Sequence, residues 1–83
     1  MRIPLDRDSG IPLYRQIQGF LREQIRSGRL SPGTRLPATR EMANGLGVSR
    51  ITVTNAYAEL EAEGLVYSQL GSGTFVASPL TEL

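Results

Sequence analysis

The chain has 83 residues, all nine of its basic residues are arginine, and it contains no cysteine and no histidine. A chain of this length forms one small domain. Disulfides, metal sites built from thiolates or imidazoles, and lysine Schiff-base chemistry are excluded within it, and no nucleophile stands beside a base. We predict that the chain is not an enzyme and has neither catalytic nor metal-binding residues.

The net charge of +1 is unevenly distributed. Residues 1–58 hold all nine arginines against four acids, a net charge of +5, whereas residues 59–83 hold four glutamates and no base. This polarity is typical of a surface that faces a polyanion, and equally of a solvated surface with scattered charges. No apolar run approaches the roughly 20 residues of a membrane-spanning helix, so no membrane partner is expected.

The first predicted element is an amphipathic helix that begins near residue 12. Residues 1–10 show no helical period and are predicted to form an extended lead-in. Pro12 suits a first helical position, and Gly28 suits a stop beyond the last turn. Between them, apolar residues recur at spacings of three and four, as on one face of a helix: Leu13, Ile17, Phe20, Leu21 and Ile25.

A turn and a short second helix follow. The sequence Ser-Pro-Gly at 31–33 favours a turn because it combines a fixed φ angle with a permissive one. Residues 38–46 are predicted to form a helix, with Thr39 as its cap because Ala38 has no side-chain oxygen. We expect Gly47 to end this helix in the left-handed conformation.

The third predicted helix begins after Ser49, a strong N-cap, and runs to about Glu63, with Gly64 as its stop. Its helical period predicts a buried stripe: Val53, Ala56, Tyr57 and Leu60. Other residues are predicted to point away from that stripe: Ile51, Thr54, Asn55 and Ala58. Three acids near its end are predicted to form a solvated face: Glu59, Glu61 and Glu63.

The last predicted element is a two-stranded hairpin. β-branched and aromatic residues at 65–67 and 74–76 flank the sequence Gly-Ser-Gly at 71–73. The predicted fold class is therefore α+β, mainly α: a three-helix bundle with a C-terminal two-stranded β-hairpin. Residues 78–83 are predicted to start a linker.

The second helix, the tight turn at Gly47 and Val48, and the capped third helix have the layout of a helix-turn-helix. In that layout, the second helix of the pair enters a DNA major groove about 12 Å wide and presents its amino-terminal residues to base edges. Entry favours modest polar side chains such as Thr52 and Thr54 beside an arginine such as Arg50. A hairpin beside such a helix is a β-wing, a second contact element. The pattern favours a winged helix-turn-helix.

Five motifs occur in order: 32–43 (PGTRLPATREMA), 46–50 (LGVSR), 52–53 (TV), 60–66 (LEAEGLV) and 71–76 (GSGTFV). Their order and spacing resemble the winged-helix domain of GntR-family transcription regulators over residues 11–77. The resemblance implies a bacterial, sequence-specific DNA-binding domain that acts on double-stranded operator DNA as a homodimer. It also implies a recognition helix at about 49–63 in the major groove and a wing at about 70–74 at the minor groove.

The resemblance implies six DNA-binding residues: Arg35, Arg40, Arg50, Thr52, Thr54 and Gly71. The first two are expected to contact phosphates, the next three to read bases, and the glycine to let the wing tip approach the minor groove. The alternative role of the Thr52 hydroxyl is to stabilise the first turn of its own helix.

The lead-in sequence Ile-Pro-Leu-Asp at 3–6 and the pair Thr39-Arg40 look most like the MocR subfamily. In that subfamily, the domain precedes an aminotransferase-like module that holds pyridoxal phosphate on a lysine. This chain has no lysine, so we expect no cofactor within it and interpret residues 78–83 as the start of a linker to an absent C-terminal effector domain. The expected location is cytoplasmic, at the nucleoid.

The alternative interpretation is a winged helix that serves as a protein-interaction module. Such a module would carry an exposed apolar patch on the third helix. Ile51 is the only candidate for such a patch in the sequence.

Overall fold

Three helices are followed by one antiparallel hairpin within residues 2–78, the part of the chain that the computed structural model describes. The elements are α1 (Leu13–Arg26), α2 (Thr39–Leu46), α3 (Arg50–Ala62), β1 (Val66–Gln69) and β2 (Gly73–Val76). The predicted mainly helical α+β architecture is confirmed. None of these helices is long and apolar enough to cross a membrane. The predicted linker lies outside the described residues, apart from Ser78.

Helix α1 packs against α3 through the predicted apolar stripe, in which Ile17 and Leu21 are fully buried. Pro12 is the N-cap of α1 and not its first helical residue, a shift of one position from the prediction. Its carbonyl accepts hydrogen bonds from the amides of Arg15 and Gln16. The stripe also contains Gln18, which is buried although its side chain is polar.

Helix α2 has no side-chain cap. Its N-cap residue is Ala38, and the predicted cap Thr39 is instead the first helical residue, so that prediction is wrong. Helix geometry explains the difference, because a cap must precede the helix with extended backbone angles, and Ala38 has φ −59° and ψ 153°. The predicted stop is confirmed: Gly47 has φ +71°, and its amide donates to the carbonyl of Ala43.

Helix α3 begins as predicted. The Ser49 hydroxyl accepts a hydrogen bond of 3.2 Å from the amide of Thr52, which satisfies one of the unpaired donors of the first turn. The helix ends at Ala62, followed by Gly64 at φ +77°. The predicted buried stripe is confirmed: Val53, Ala56, Tyr57 and Leu60.

The hairpin pairs β1 with β2 from Val66↔Val76 to Gln69↔Gly73, and only the ends nearest α3 are buried. Residues 33–36 add an extended segment along the other edge of β2. The Leu36 amide donates to the Thr74 carbonyl at 2.8 Å, and the Val76 amide donates to the Thr34 carbonyl at 2.9 Å. The sequence indicated only a turn there. This segment covers an edge that would otherwise expose unpaired backbone groups.

The lead-in packs onto the helical core. Ile3 is only 6% exposed and belongs to the buried cluster, and Leu5 packs against it. The Gln16 side chain holds the segment to α1, since its Oε1 accepts from the Asp6 amide and its Nε2 donates to the carbonyls of Asp6 and Ile11. The sequence predicted only that this segment is extended; it gave no sign that Ile3 is buried.

The carboxyl end of α3 is tied to α1 by an ion pair. Arg22 donates to Glu63 through Nη2 at 2.7 Å and through Nε at 2.8 Å, and Gln18 adds a third hydrogen bond at 2.6 Å. Glu63 is exposed, as predicted, but packing of α1 on α3 also gives it partners that the sequence did not indicate. The hydrogen bonds from Arg22 lower the pKa of the Glu63 carboxyl to about 2 from its usual 4.5.

We expect Glu63→Gln to lower the free energy of unfolding by about 1 kcal/mol at pH 7, the upper end for a solvent-exposed pair. Because the folded pKa is depressed, the ion-pair stabilisation is present above about pH 4.5 and disappears as the pH falls toward about 2. Urea denaturation of both proteins at pH 7 and at pH 2.5 measures this difference. Glu59→Gln, which removes an acid without a hydrogen-bond partner among residues 2–78, is the control; an equal loss in both variants would contradict the prediction.

Candidate nucleic-acid interface

The amino end of α3 projects from the core. We call the exposed residues of this helix that lie opposite its buried stripe the outward face: Ile51, Thr54, Asn55 and Ala58. Arg50 is exposed beside the stripe, in the first turn of the helix. The first turn contains no acid. The positive end of the helix dipole, the basic residue and small polar groups therefore share one exposed end of the helix.

Arg50 is the first helical residue of α3 and is exposed. Within residues 2–78, its guanidinium makes no hydrogen bond or ion pair, and the one ion pair in that range joins Arg22 to Glu63. A partnerless guanidinium retains all of its donors for a planar acceptor such as a guanine edge or a phosphate.

The two predicted threonines differ in their surroundings. The hydroxyls of Thr52 and Ser49 lie 2.8 Å apart, so Thr52 takes part in the helix cap and is half-buried. Thr54 is exposed, and its hydroxyl donates to the Arg50 carbonyl at 2.9 Å. Each hydroxyl can still accept a hydrogen bond, because its oxygen has two lone pairs and these contacts use at most one of them.

Arg40 lies in the first turn of α2 and is exposed. It forms no ion pair or hydrogen bond with any residue from 2 to 78. Helix α2 packs on α3, so two helices in contact each carry an unpaired arginine in the first turn. The first turn of a helix also offers unpaired amides to an anion.

Arg35 braces the wing. Its Nε donates to the Ser72 carbonyl at 2.9 Å, and a Cβ placed on Gly73 would lie 2.8 Å from the same nitrogen. Gly73 therefore leaves room for the guanidinium to cross the hairpin. The terminal nitrogens of Arg35 make no hydrogen bond within residues 2–78, so one end of the side chain holds the wing and the other faces solvent.

The wing turn runs from Gln69 to Ser72, and the Ser72 amide donates to the Gln69 carbonyl at 2.9 Å. Gly71, at φ +79°, occupies the third position of this turn, where a positive φ strains any residue with a Cβ. Leu70 beside it is fully exposed.

The six predicted residues thus fall into three groups. Arg50, Thr52 and Thr54 share the first turns of α3, Arg40 occupies the start of α2, and Arg35 with Gly71 belongs to the wing. Their contacts with DNA stay a prediction.

Arg7 is a residue that sequence reasoning missed. Its Nη2 donates to the carbonyls of Leu46 and Gly47, at 3.2 and 3.1 Å, at the carboxyl end of α2. A cation at this end stabilises the last carbonyls and the negative end of the helix dipole. Helix α2 has no basic residue in its own last turn, and that gap was the only signal in the sequence. Arg7 therefore fastens the lead-in to the turn that precedes α3.

Tyr57 fixes the other side of the same unit. Its hydroxyl donates to the Pro37 carbonyl at 2.7 Å, just before α2. Burial, with a smaller contribution from Glu41, raises the pKa of Tyr57, so the phenol keeps the proton that it donates. The buried stripe of α3 thereby sets the position of the α2 amino end, where Arg40 lies.

Comparison with known proteins identifies similar domains. The profile described as "Bacterial regulatory proteins, gntR family" matches residues 13–76. The chain is 53% identical over 74 residues to the probable rhizopine catabolism regulatory protein MocR of Rhizobium meliloti. This alignment covers 89% of this chain and 15% of that protein. It is 45% identical over 78 residues to the transcriptional repressor NagR of Bacillus subtilis, covering 94% of this chain and 32% of that protein.

A solved structure with a bound operator is also similar. The AraR DNA-binding domain in complex with operator ORE1 superposes with a TM-score of 0.77 and 35% identity, covering 93% of this chain and 94% of that one. The winged-helix architecture predicted from the sequence is therefore confirmed. The chain spans less than a third of the length of the two curated relatives, with 15% of MocR and 32% of NagR.

We expect Arg7→Ala to lower the free energy of unfolding by about 1 kcal/mol, because two charge-assisted hydrogen bonds at an exposed site are lost. The amides of Gly47 and Val48 should exchange with deuterium faster, since the turn loses its tether. Urea denaturation and residue-resolved hydrogen exchange measure both effects. The control is Arg2→Ala, which removes the same charge from the lead-in without breaking a hydrogen bond to any residue from 2 to 78. Matching effects of the two substitutions would refute the role of the tether.

Proposed function

Since this chain belongs to the gntR family of bacterial regulatory proteins and is the winged helix-turn-helix DNA-binding domain of such a regulator, we propose that it inserts α3 into the major groove of operator DNA and sets its wing at the minor groove. The observation that carries the proposal is the exposed amino end of α3, where Arg50 has no partner within residues 2–78. The similar AraR domain in complex with operator DNA supports it.

In this proposal, phosphate contacts set the register of the protein on the duplex. Arg40 and the unpaired amides at the start of α2 would bind one phosphate region, and the outer nitrogens of Arg35 would bind another. These contacts depend little on sequence and weaken as salt rises, because they release counterions from the DNA. The net charge of +5 on residues 1–58 favours such an encounter.

In this proposal, residues at the amino end of α3 read the bases. Arg50 would donate two hydrogen bonds to a guanine, the commonest specific contact in the major groove. Thr54 would accept from a base amino group, since its hydroxyl hydrogen is engaged within the helix. The Thr52 hydroxyl, which shares a hydrogen bond with that of Ser49, would add a second polar contact to a base edge. At the wing, Gly71 would let the backbone approach the minor groove because no side chain intervenes.

The rest of the regulator extends this proposal. We place the DNA-binding domain at residues 11–77, with the lead-in at 1–10 and a linker from residue 78 to an effector domain. The full-length protein would be a homodimer that binds half-sites about one helical turn apart, in the cytoplasm at the nucleoid. The resemblance to MocR regulators implies a pyridoxal phosphate module, but this chain has no lysine to hold that group, so we assign the cofactor to the effector domain. The role of these 83 residues would be binding and not catalysis.

The protein-interaction alternative requires an apolar patch on α3. Ile51 is exposed, but the other residues of the outward face are polar or small. One isolated apolar side chain is common on protein surfaces and does not make a patch. DNA therefore remains the better partner for this face.

The proposal is tested by titrating random-sequence duplex DNA with the 83-residue chain in gel shifts at several salt concentrations. We expect binding at low salt that weakens as salt rises, and in Arg40→Ala a weaker affinity with a salt slope reduced by about one phosphate contact. Arg26→Ala is the matched control, because Arg26 acts on Glu63, which follows α3 about 20 Å along the helix axis from Arg50. Absence of a shift at low salt would refute DNA binding, and an unchanged slope in Arg40→Ala would remove Arg40 from the interface.

Base reading by Arg50 is tested on a site selected from a random-sequence library. Arg50→Ala should cost about 1–3 kcal/mol on the selected site and much less on random duplex, because a base contact is lost together with its discrimination. A repeated selection with this variant should relax one position per half-site. Equal losses on both duplexes would mean that Arg50 contacts only the phosphate backbone.

A further inference from the structure

An isoleucine at the amino end of α3 is left uncovered by the fold. Ile51 is 68% exposed, whereas Val53, two residues along the same helix, is fully buried. Exposure of one apolar side chain is ordinary in itself. The position is what matters, because Ile51 follows Arg50 directly and shares the outward face with Thr54 and Asn55, three and four residues further along.

The chemistry of the major groove limits what this side chain can recognise. Isoleucine has no hydrogen-bond donor or acceptor, so a polar base edge beneath it would lose its water without a replacement. The C5-methyl group of thymine is the apolar feature among the four base edges in that groove. An aliphatic side chain over this methyl group buries apolar surface on both partners.

We propose that Ile51 is a specificity-determining residue that reads the C5-methyl group of one thymine in each half-site, beside the base pair contacted by Arg50. The inference rests on the proposed insertion of α3 into the major groove. It adds an apolar contact to the polar contacts of Arg50, Thr52 and Thr54, none of which distinguishes a methyl group from hydrogen.

A protein partner on the same side chain is the weaker explanation. Specific protein interfaces bury about 1,200–2,000 Å² in total, and they are centred on clusters of apolar or aromatic residues. Ile51 has no exposed apolar neighbour of comparable size on α3. One side chain beside an unpaired arginine fits a nucleic-acid groove better than an apolar interface.

The test removes only the methyl group. After a binding site has been selected, each thymine is replaced singly by deoxyuridine, and affinity for the 83-residue chain is measured at fixed salt. We expect one thymine per half-site at which the replacement weakens binding about fourfold, the effect of burying one methyl group. Ile51→Ala should bind the thymine and uracil sites about equally, and Ile51→Val should retain most of the difference.

The controls separate this inference from the proposed function. Because Ile51 is exposed, its variants should keep the wild-type melting temperature, and Ile11→Ala, which trims an exposed isoleucine outside α3, should keep the uracil effect. A uracil replacement that is neutral at every thymine, or a penalty that persists in Ile51→Ala, would overturn methyl reading while binding itself stands. Failure to bind DNA at all would overturn the proposed function and this inference with it.

Discussion

Helix α3 serves both as the centre of the core and as the surface offered to a ligand, and the remaining structure depends on how it separates these roles. Helix α3 contacts α1, α2 and β1, and β2 is positioned through its pairing with β1. The helical period places the outward face on the opposite side. The Ser49 hydroxyl caps one amide of the first turn, and the amino end of the helix stays exposed.

Polar contacts fix both ends of α2 and the carboxyl end of α3. The Tyr57 hydroxyl of α3 donates to the Pro37 carbonyl just before α2, and the Arg7 guanidinium donates to the carbonyls at the carboxyl end of α2. At the far end of α3, Arg22 and Glu63 join it to α1. A domain of this size buries a modest apolar area, so such contacts contribute a larger share of its rigidity than they would in a larger core. The orientation of the candidate interface depends on them.

Basic and acidic side chains lie at opposite ends of α3. The arginines without partners within residues 2–78 include Arg40 and Arg50, in first turns where the helix dipole is positive. The acids of α3 lie toward its carboxyl end, where Glu63 forms an ion pair with Arg22. The wing is joined to this unit through Arg35, which connects the segment before α2 to the hairpin turn. A basic end and an acidic end of one helix thus follow from the order of residues along it.

The sequence by itself determined the three helices, the Ser49 cap, the Gly47 stop, the hairpin and the outward face of α3. Each depends on a local pattern: neighbours about one turn apart in the helices and their ends, and strands joined by one short turn in the hairpin. It indicated the six candidate DNA-binding residues through a family resemblance. Only the tertiary structure decided the burial of Ile3, the strand-like segment at 33–36 and the tether from Arg7 to Gly47, 40 positions away. Such contacts exist only once the elements have packed, since the partners are far apart in the chain and no local period connects them.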